Sequence, residues 1–326
     1  MAFLAASTSA WRRKAGESGR KWSLRADLRR VGRRAVVKCL AASGEGSCQA
    51  TQLGKYNDVV KDTRESGIEF GDLPGFTRTV YERDHALVTP ESRVWTGLQG
   101  WKNTIGAHFV SPAMMSTHFT MYLAKMGEES SAGMPPNGAE RFVFVVQGVA
   151  EIQVQGKTIR LEEDHYAYFP PDLPHEITST TGAVLHINER IYSVPHSSDV
   201  DKRPEFLHGI TEEQPVLPVP GEIFVLRKLL PQTPEYDFNI HVMDFEPGEF
   251  LNVKEYHYNQ HSLLLLQGQG IYRLGENWYP VQAGDVIWMG AYVPQWYCAL
   301  GKQRSRYILY KDTNRDPLFE YGKSFQ

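Results

Sequence analysis

Residues 254–270 read KEYHYNQHSLLLLQGQG, and within seven residues of that stretch stand Glu255, His257 and His261. A carboxylate and two imidazoles at this spacing are three of the donors a divalent cation takes. An apolar run follows at once, so the polar groups border a segment suited to a core, where an unpaired carboxylate is costly. A bound metal ion resolves that conflict. Gln295, in GDVIWMGAYVPQ, offers a fourth donor from a separate turn after Pro294. Two imidazoles, a carboxylate and an amide oxygen form a fairly hard set without thiolate. They suit six-coordinate Mn²⁺, Fe²⁺ or Mg²⁺ better than tetrahedral zinc. About two positions then stay open for water and one substrate atom. One carboxylate against a dication leaves net positive charge, which favours a small anionic substrate. A single histidine here would read more simply as a satisfied core residue; four donors together favour the metal.

Such donors need rigid elements behind them. Glu255 and His257 are two apart, which on a strand puts both on one face. YNQ at 258–260 can turn, and His261 then opens a strand whose odd positions, Leu263 and Leu265, share its face. Beyond about residue 70 the chain is a series of short apolar or alternating runs between Gly, Pro, Asn and Asp, including FVFVVQG, AEIQVQG, HSLLLLQG and SRYILYKD. With no long helical periodicity between them, these predict an all-β sandwich or barrel.

The pattern occurs twice. The stretch starting at Phe142 aligns without gaps on the stretch starting at Ser262, placing Gly148 on Gly268, Tyr168 on Trp288 and His175 on Gln295. Two equal β domains follow, joined near EEQPVLPVPGE at 212–222. The division is a basic head at 1–50, an N-terminal domain at 51–212 and a C-terminal domain at 213–326. The same shift puts Pro135, Asn137, Arg141 and His175 at the four donor places of the N-terminal half. Proline and arginine do not ligate metal, and Glu140 is one residue out of register, on the opposite strand face. The N-terminal half is therefore expected to be scaffold.

Composition narrows the partners. Residues 1–38 carry eleven of the 35 Lys and Arg and two of the 38 Asp and Glu, so the remainder holds 24 basic against 36 acidic residues, a balance of −12. An acidic body does not suit nucleic acid. No apolar run approaches the roughly 18 residues of a membrane span. Three cysteines, Cys39, Cys48 and Cys298, are too few and scattered for a disulfide framework. GQGIYRLG at 268–275 has the wrong spacing for a nucleotide loop, and no GxSxG elbow or CxxC pair occurs. The Arg-rich, acid-poor head has the composition of an organellar transit peptide, which predicts a plastid or mitochondrial location.

The skeleton around the donors, Gly248, Glu255, His257, His261, Gly268 and then Gln295, resembles the cupin superfamily with changed letters. That implies two tandem jelly-roll barrels, a bicupin. Among two-cupin proteins, the Glu-x-His-x3-His plus Gln set is similar to the (S)-ureidoglycine aminohydrolase family. The likeness runs from about Leu73 onward and includes YERDHALVTPESRV at 81–94. It implies Mn²⁺-dependent release of ammonia from (S)-ureidoglycine, giving (S)-ureidoglycolate in purine (allantoin) catabolism. It further implies one Mn²⁺ per chain, held in the C-terminal cupin by Glu255, His257, His261 and Gln295, and a homo-oligomer. Glu255, Tyr272, Tyr307 and Lys311 are the implied substrate contacts, with Glu255 and Lys311 in catalytic roles. Tyr307 and Lys311, four apart in YILYK, fall on one strand face. Plant relatives enter the endoplasmic reticulum through an apolar signal that this head lacks, so that location is the family-based alternative. A cupin dioxygenase, an isomerase on a small anionic substrate and a storage-type bicupin are the competing readings. The first normally keeps three His and a Glu, the second wants more Lys and Arg near the metal, and the third has two dead sites.

Overall fold

The computed structural model of the protein describes residues 54–60, 77–114, 117–195 and 202–316. The basic head at 1–50, read above as a targeting segment, lies outside them. Nearly everything described is β, as the run pattern predicts. The repeat is structural as well. His175–Ser179 and Gln295–Leu300 start 120 residues apart, as do Lys157–Leu161 and Asn277–Gln282. Gly148 and Gly268 share the same positive φ of 80°, and a Cβ at either would meet backbone, of Gly182 and Ala183 or of Arg304 and Ser305. Only glycine fits that close, left-handed turn.

Three apolar cores hold the described residues together. One fills the N-terminal barrel around Val143, Val145, Ile152 and Leu185. One fills the C-terminal barrel around Leu263, Leu265, Tyr272, Tyr297 and Leu309. The third lies between the barrels and draws Phe142 and Phe144 from one, Ile240, Leu264, Trp288 and Ile308 from the other. The central strands are thus buried on both faces. In His261–Gln267 the odd positions enter the C-terminal barrel and the even ones the inter-barrel core, which is the alternation expected for that strand.

The barrels also exchange an element. His85–Val88 precedes the N-terminal barrel in sequence but pairs antiparallel with Val286–Met289 of the C-terminal sheet. Its counterpart about 120 residues on, Leu207–Ile210, pairs with His165–Phe169 of the N-terminal sheet. This accounts for the segment YERDHALV: it builds the wall of the barrel that carries the donors. Its ends are pinned by the bidentate pair of Arg78 with Asp285 at 2.7 and 3.0 Å and by the Gly290 amide donating to the Asp84 carbonyl at 2.8 Å.

Charges lock the same interface. Arg190, from the N-terminal barrel, donates to Asp312 of the C-terminal sheet at 3.0 Å and lies 3.2 Å from Asp237, just before the strand Phe238–Phe245. Glu140 faces this interface, fully buried against the Tyr168 hydroxyl. As its out-of-register position predicts, it points away from its own barrel's interior.

Candidate metal centre

The donors are set by two backbone arrangements. His261 is the first residue of His261–Gln267, hydrogen-bonded between Val286–Met289 and Ser305–Asp312, and is 2% exposed. Glu255 and His257 do not lie on a regular strand, contrary to the sequence reading. Bridges pair Phe250 with Cys298 and Glu255 with Gln295. Five residue steps on one side therefore span three on the other, and the segment bulges across the barrel mouth. The Glu255 amide donates to the Gln295 carbonyl at 2.9 Å and the Gln295 amide returns the bond at 3.0 Å. The Tyr292 amide caps the His257 carbonyl at 2.8 Å. The bulge still delivers both side chains to His261.

All four expected donors converge on the His257 imidazole. Its Nε2 lies 3.1 Å from Nε2 of His261, 3.3 Å from the Gln295 amide nitrogen and 3.7 Å from the nearer Glu255 oxygen. Neighbouring ligands on an octahedral dication with bonds of about 2.1 Å are about 3 Å apart, so the two imidazoles and the amide already have the spacing of adjacent ligands. Among the described residues no three His, Cys, Asp or Glu close around one point by themselves; here the Gln295 amide is the third near donor and Glu255 the outlying fourth. The Gln295 oxygen accepts the Tyr272 hydroxyl at 3.0 Å. To ligate a cation the amide would turn over, exchanging NH2 and oxygen, and the Tyr272 hydroxyl can accept as readily as donate. The residues fit a hard divalent ion. The Nδ1 atoms of His257 and His261 are buried without partners, so packing and the ladder orient these rings rather than a carboxylate behind them.

The charge states suit the same purpose. Burial, then the charges of Lys311, His257 and His241, hold His261 well below the ordinary histidine range, so it is neutral and its lone pair is available. Burial pushes the Glu255 carboxyl up, but the neighbouring His257 imidazole and the charge of Lys311 outweigh it, and it ionises more readily than a free glutamate. Tyr272 is pushed far up by burial and by Glu255, and stays protonated.

Lys311 is the direct cross-strand partner of His261 and so faces the same interior. Burial lowers its pKa, Glu255 raises it and Lys228 lowers it, leaving it below an ordinary lysine. Tyr307 shares that face deeper in the barrel, opposite Leu265, with its ring 5.5 Å from that of Tyr297. Tyr272, Tyr307 and Lys311 thus lie along the interior of the barrel whose mouth holds the four candidate donors. His241, on Phe238–Phe245, also faces this interior and is absent from the sequence reading. Alternation puts it on the same face as Met243 and Phe245.

The equivalent place in the N-terminal barrel is filled by Arg141, 1% exposed. Its Nε donates to Glu189 at 2.6 Å and its Nη1 to Nε2 of His175 at 3.2 Å. The His175 pKa falls to about 4, chiefly through burial, so a neutral ring accepts that bond. A guanidinium stands where the other barrel gathers its imidazoles.

Comparison with known proteins agrees with this fold. A family model described as the cupin domain matches residues 123–188. The (S)-ureidoglycine aminohydrolase of Arabidopsis thaliana is 59% identical over 248 residues, which span 76% of this chain and 82% of that protein. The crystal structure of protein Ylba from E. coli superimposes with a TM-score of 0.64 at 28% identity, covering 74% of this chain and 96% of the other. Bacillus subtilis oxalate decarboxylase, a protein with Mn(II) centres, shares the fold at a TM-score of 0.54 and 11% identity, covering 75% and 80%. Extended identity to the plant enzyme, over a two-barrel cupin fold that carries its donor set in one barrel, shows that the chain belongs to the (S)-ureidoglycine aminohydrolase family of cupin enzymes.

Proposed function

We propose that the protein hydrolyses (S)-ureidoglycine to (S)-ureidoglycolate and ammonia, using one Mn²⁺ held in the C-terminal barrel by His257, His261, Gln295 and Glu255. The observation that carries this reading is the approach of a second imidazole, an amide and an ionised carboxylate to the His257 imidazole, with the Lys311 cation on the adjoining strand. The bound ion supplies Lewis acidity and lowers the pKa of water. The remaining roles belong to the chain. Lys311 pairs with the substrate carboxylate and so sets which end of the molecule faces the donors. In the reaction a C–N bond breaks, a C–O bond forms and one proton passes to the leaving amine. Glu255 is the one donor whose second oxygen can accept and return that proton, or hold the departing ammonium. Tyr272 fixes the Gln295 amide, and the surrounding apolar wall of Leu263, Leu265 and Leu309 keeps bulk water out.

The test is ammonia release from (S)-ureidoglycine together with elemental analysis. The expected result is one equivalent of metal per chain, turnover that chelation abolishes and Mn²⁺ restores, and the same rate from a chain starting near Gln52, because residues 1–50 are proposed to serve only organellar targeting. Two equivalents of metal, or turnover insensitive to chelation, refutes the assignment.

Gln295 is proposed to tune the ion rather than to be a worn-out histidine. An amide oxygen donates more weakly than imidazole and is harder, which disfavours the softer metals. Gln295→His is expected to bind metal at least as tightly and, offered a mixture, to take relatively more Fe or Zn. It is also expected to turn over more slowly. If metal preference and rate both match the wild type, the amide has no special role.

A further inference from the structure

We propose that His241 is a further substrate-contacting residue, whose imidazole hydrogen-bonds the planar ureido group of the substrate one step inward of Lys311. This rests on the assignment of substrate above. His241 lies on Phe238–Phe245, a strand buried along its whole length. Phe238, Ile240 and Val242 enter the inter-barrel core, whereas Met243 and Phe245 enter the C-terminal barrel. By alternation His241 faces that barrel's interior. The ladder fixes its depth. Asn239, Lys311, His261 and Met289 are cross-strand partners in one row; His241, Leu309, Leu263 and Ile287 form the next. Two residues along a strand is about 7 Å, so the imidazole sits one row below the His261 and Lys311 row.

Its surroundings do not satisfy it. His241 is 8% exposed, and its Nε2 is buried with no hydrogen-bond partner. The row beside it is leucine and isoleucine. On its other flank, its partner Lys228 is already directed to Gln232. Burial, then the charges of Lys311 and Lys228, keep the ring neutral. A leucine would pack against this wall without leaving a polar atom unpaired, so the fold itself gains nothing from an imidazole here. A neutral imidazole offers one donor and one acceptor. A ureido group offers N–H donors and a carbonyl acceptor in one plane, and a substrate whose carboxylate is held by Lys311 has that group within the same wall.

The experiment uses the full chain loaded with Mn²⁺ and compares His241→Leu and His241→Gln with wild type. His241→Leu is expected to melt at the wild-type temperature or above and to keep its metal equivalent. Its KM for (S)-ureidoglycine should rise about tenfold, the scale of one neutral hydrogen bond, with kcat changed less. His241→Gln, which retains a donor and an acceptor, is expected to recover part of that loss. Wild-type turnover with an unchanged KM in folded His241→Leu overturns this proposal alone and leaves Nε2 to a buried water. Loss of fold or metal in both variants also overturns it, by showing a structural role. Absence of ammonia release by wild type overturns the assignment of substrate and this proposal together.

Discussion

Glu255→Gln is expected to slow ammonia release by about 10²–10⁴-fold, the usual contribution of a positioned general acid or base, in a chain that remains folded. The substitution is nearly isosteric, and the backbone bonds that hold position 255 to Gln295 involve no side chain. What changes is the loss of one charge and one basic oxygen. The carboxyl is ionised at neutral pH, because the neighbouring His257 imidazole and the Lys311 charge overcome the upward push of burial. Glutamine cannot carry a proton from one side of the reaction to the other. It also weakens the hold on a dication, so the comparison belongs at saturating Mn²⁺, with metal content measured on the same sample. If the metal-saturated variant turns over within about threefold of wild type, the proton-carrying role fails and Glu255 is a ligand only.

Parts of this site could be read from the chain because they depend on local alternation. His261, Leu263 and Leu265 share a face because a strand repeats every two residues, and no tertiary context was needed to see it. The 120-residue repeat likewise exposed the N-terminal counterpart, and Arg141 indeed stands where His261 stands. The sequence puts Glu255 and His257 beside His261, where the structure also has them, but for a different geometric reason. Their bulge arises from the count of residues between bridges to a partner strand 40 positions away, which no local pattern records.

His241 was missed for a different reason. The segment FNIHVMDF is buried on both faces, one against a barrel core and one against the other barrel, so polarity does not mark which face is which. The exchange of His85–Val88 for Leu207–Ile210 is hidden in the same way. HALV reads as a strand, but the choice of sheet is made by its partner Val286–Met289. That exchange has a consequence for function. The wall carrying Met289, next to His261, is completed by residues that precede the other barrel. The barrel that carries the four candidate donors is therefore incomplete without the N-terminal half, which acts as more than an inert duplicate.

Lys311→Met is expected to raise KM by roughly one to two decades, as for a hydrogen bond to a charged group of about 1.5–3 kcal/mol, with metal content unchanged. Methionine keeps the unbranched, apolar reach of the side chain, so the loss is confined to charge. The Lys311 ammonium makes no ion pair or hydrogen bond among the described residues. Glu255 is the one carboxylate whose charge it feels, and Lys228 opposes it. A half-buried ammonium without an ion-pair partner contributes little to a fold, and here burial already drags its pKa down. Such a residue is retained for a ligand. Removing it therefore has two opposite effects: weaker substrate binding, and a melting temperature equal to or above that of wild type, the usual opposition between a strained site and a stable fold. Lys311→Arg distinguishes charge from shape. It restores the cation but replaces a compact ammonium with a planar fork that fits the space beside His261 less well, so KM should fall between those of wild type and the methionine variant. A methionine variant that keeps wild-type KM and full metal would show that the substrate carboxylate is held elsewhere, and the orientation proposed for the substrate would have to be reversed.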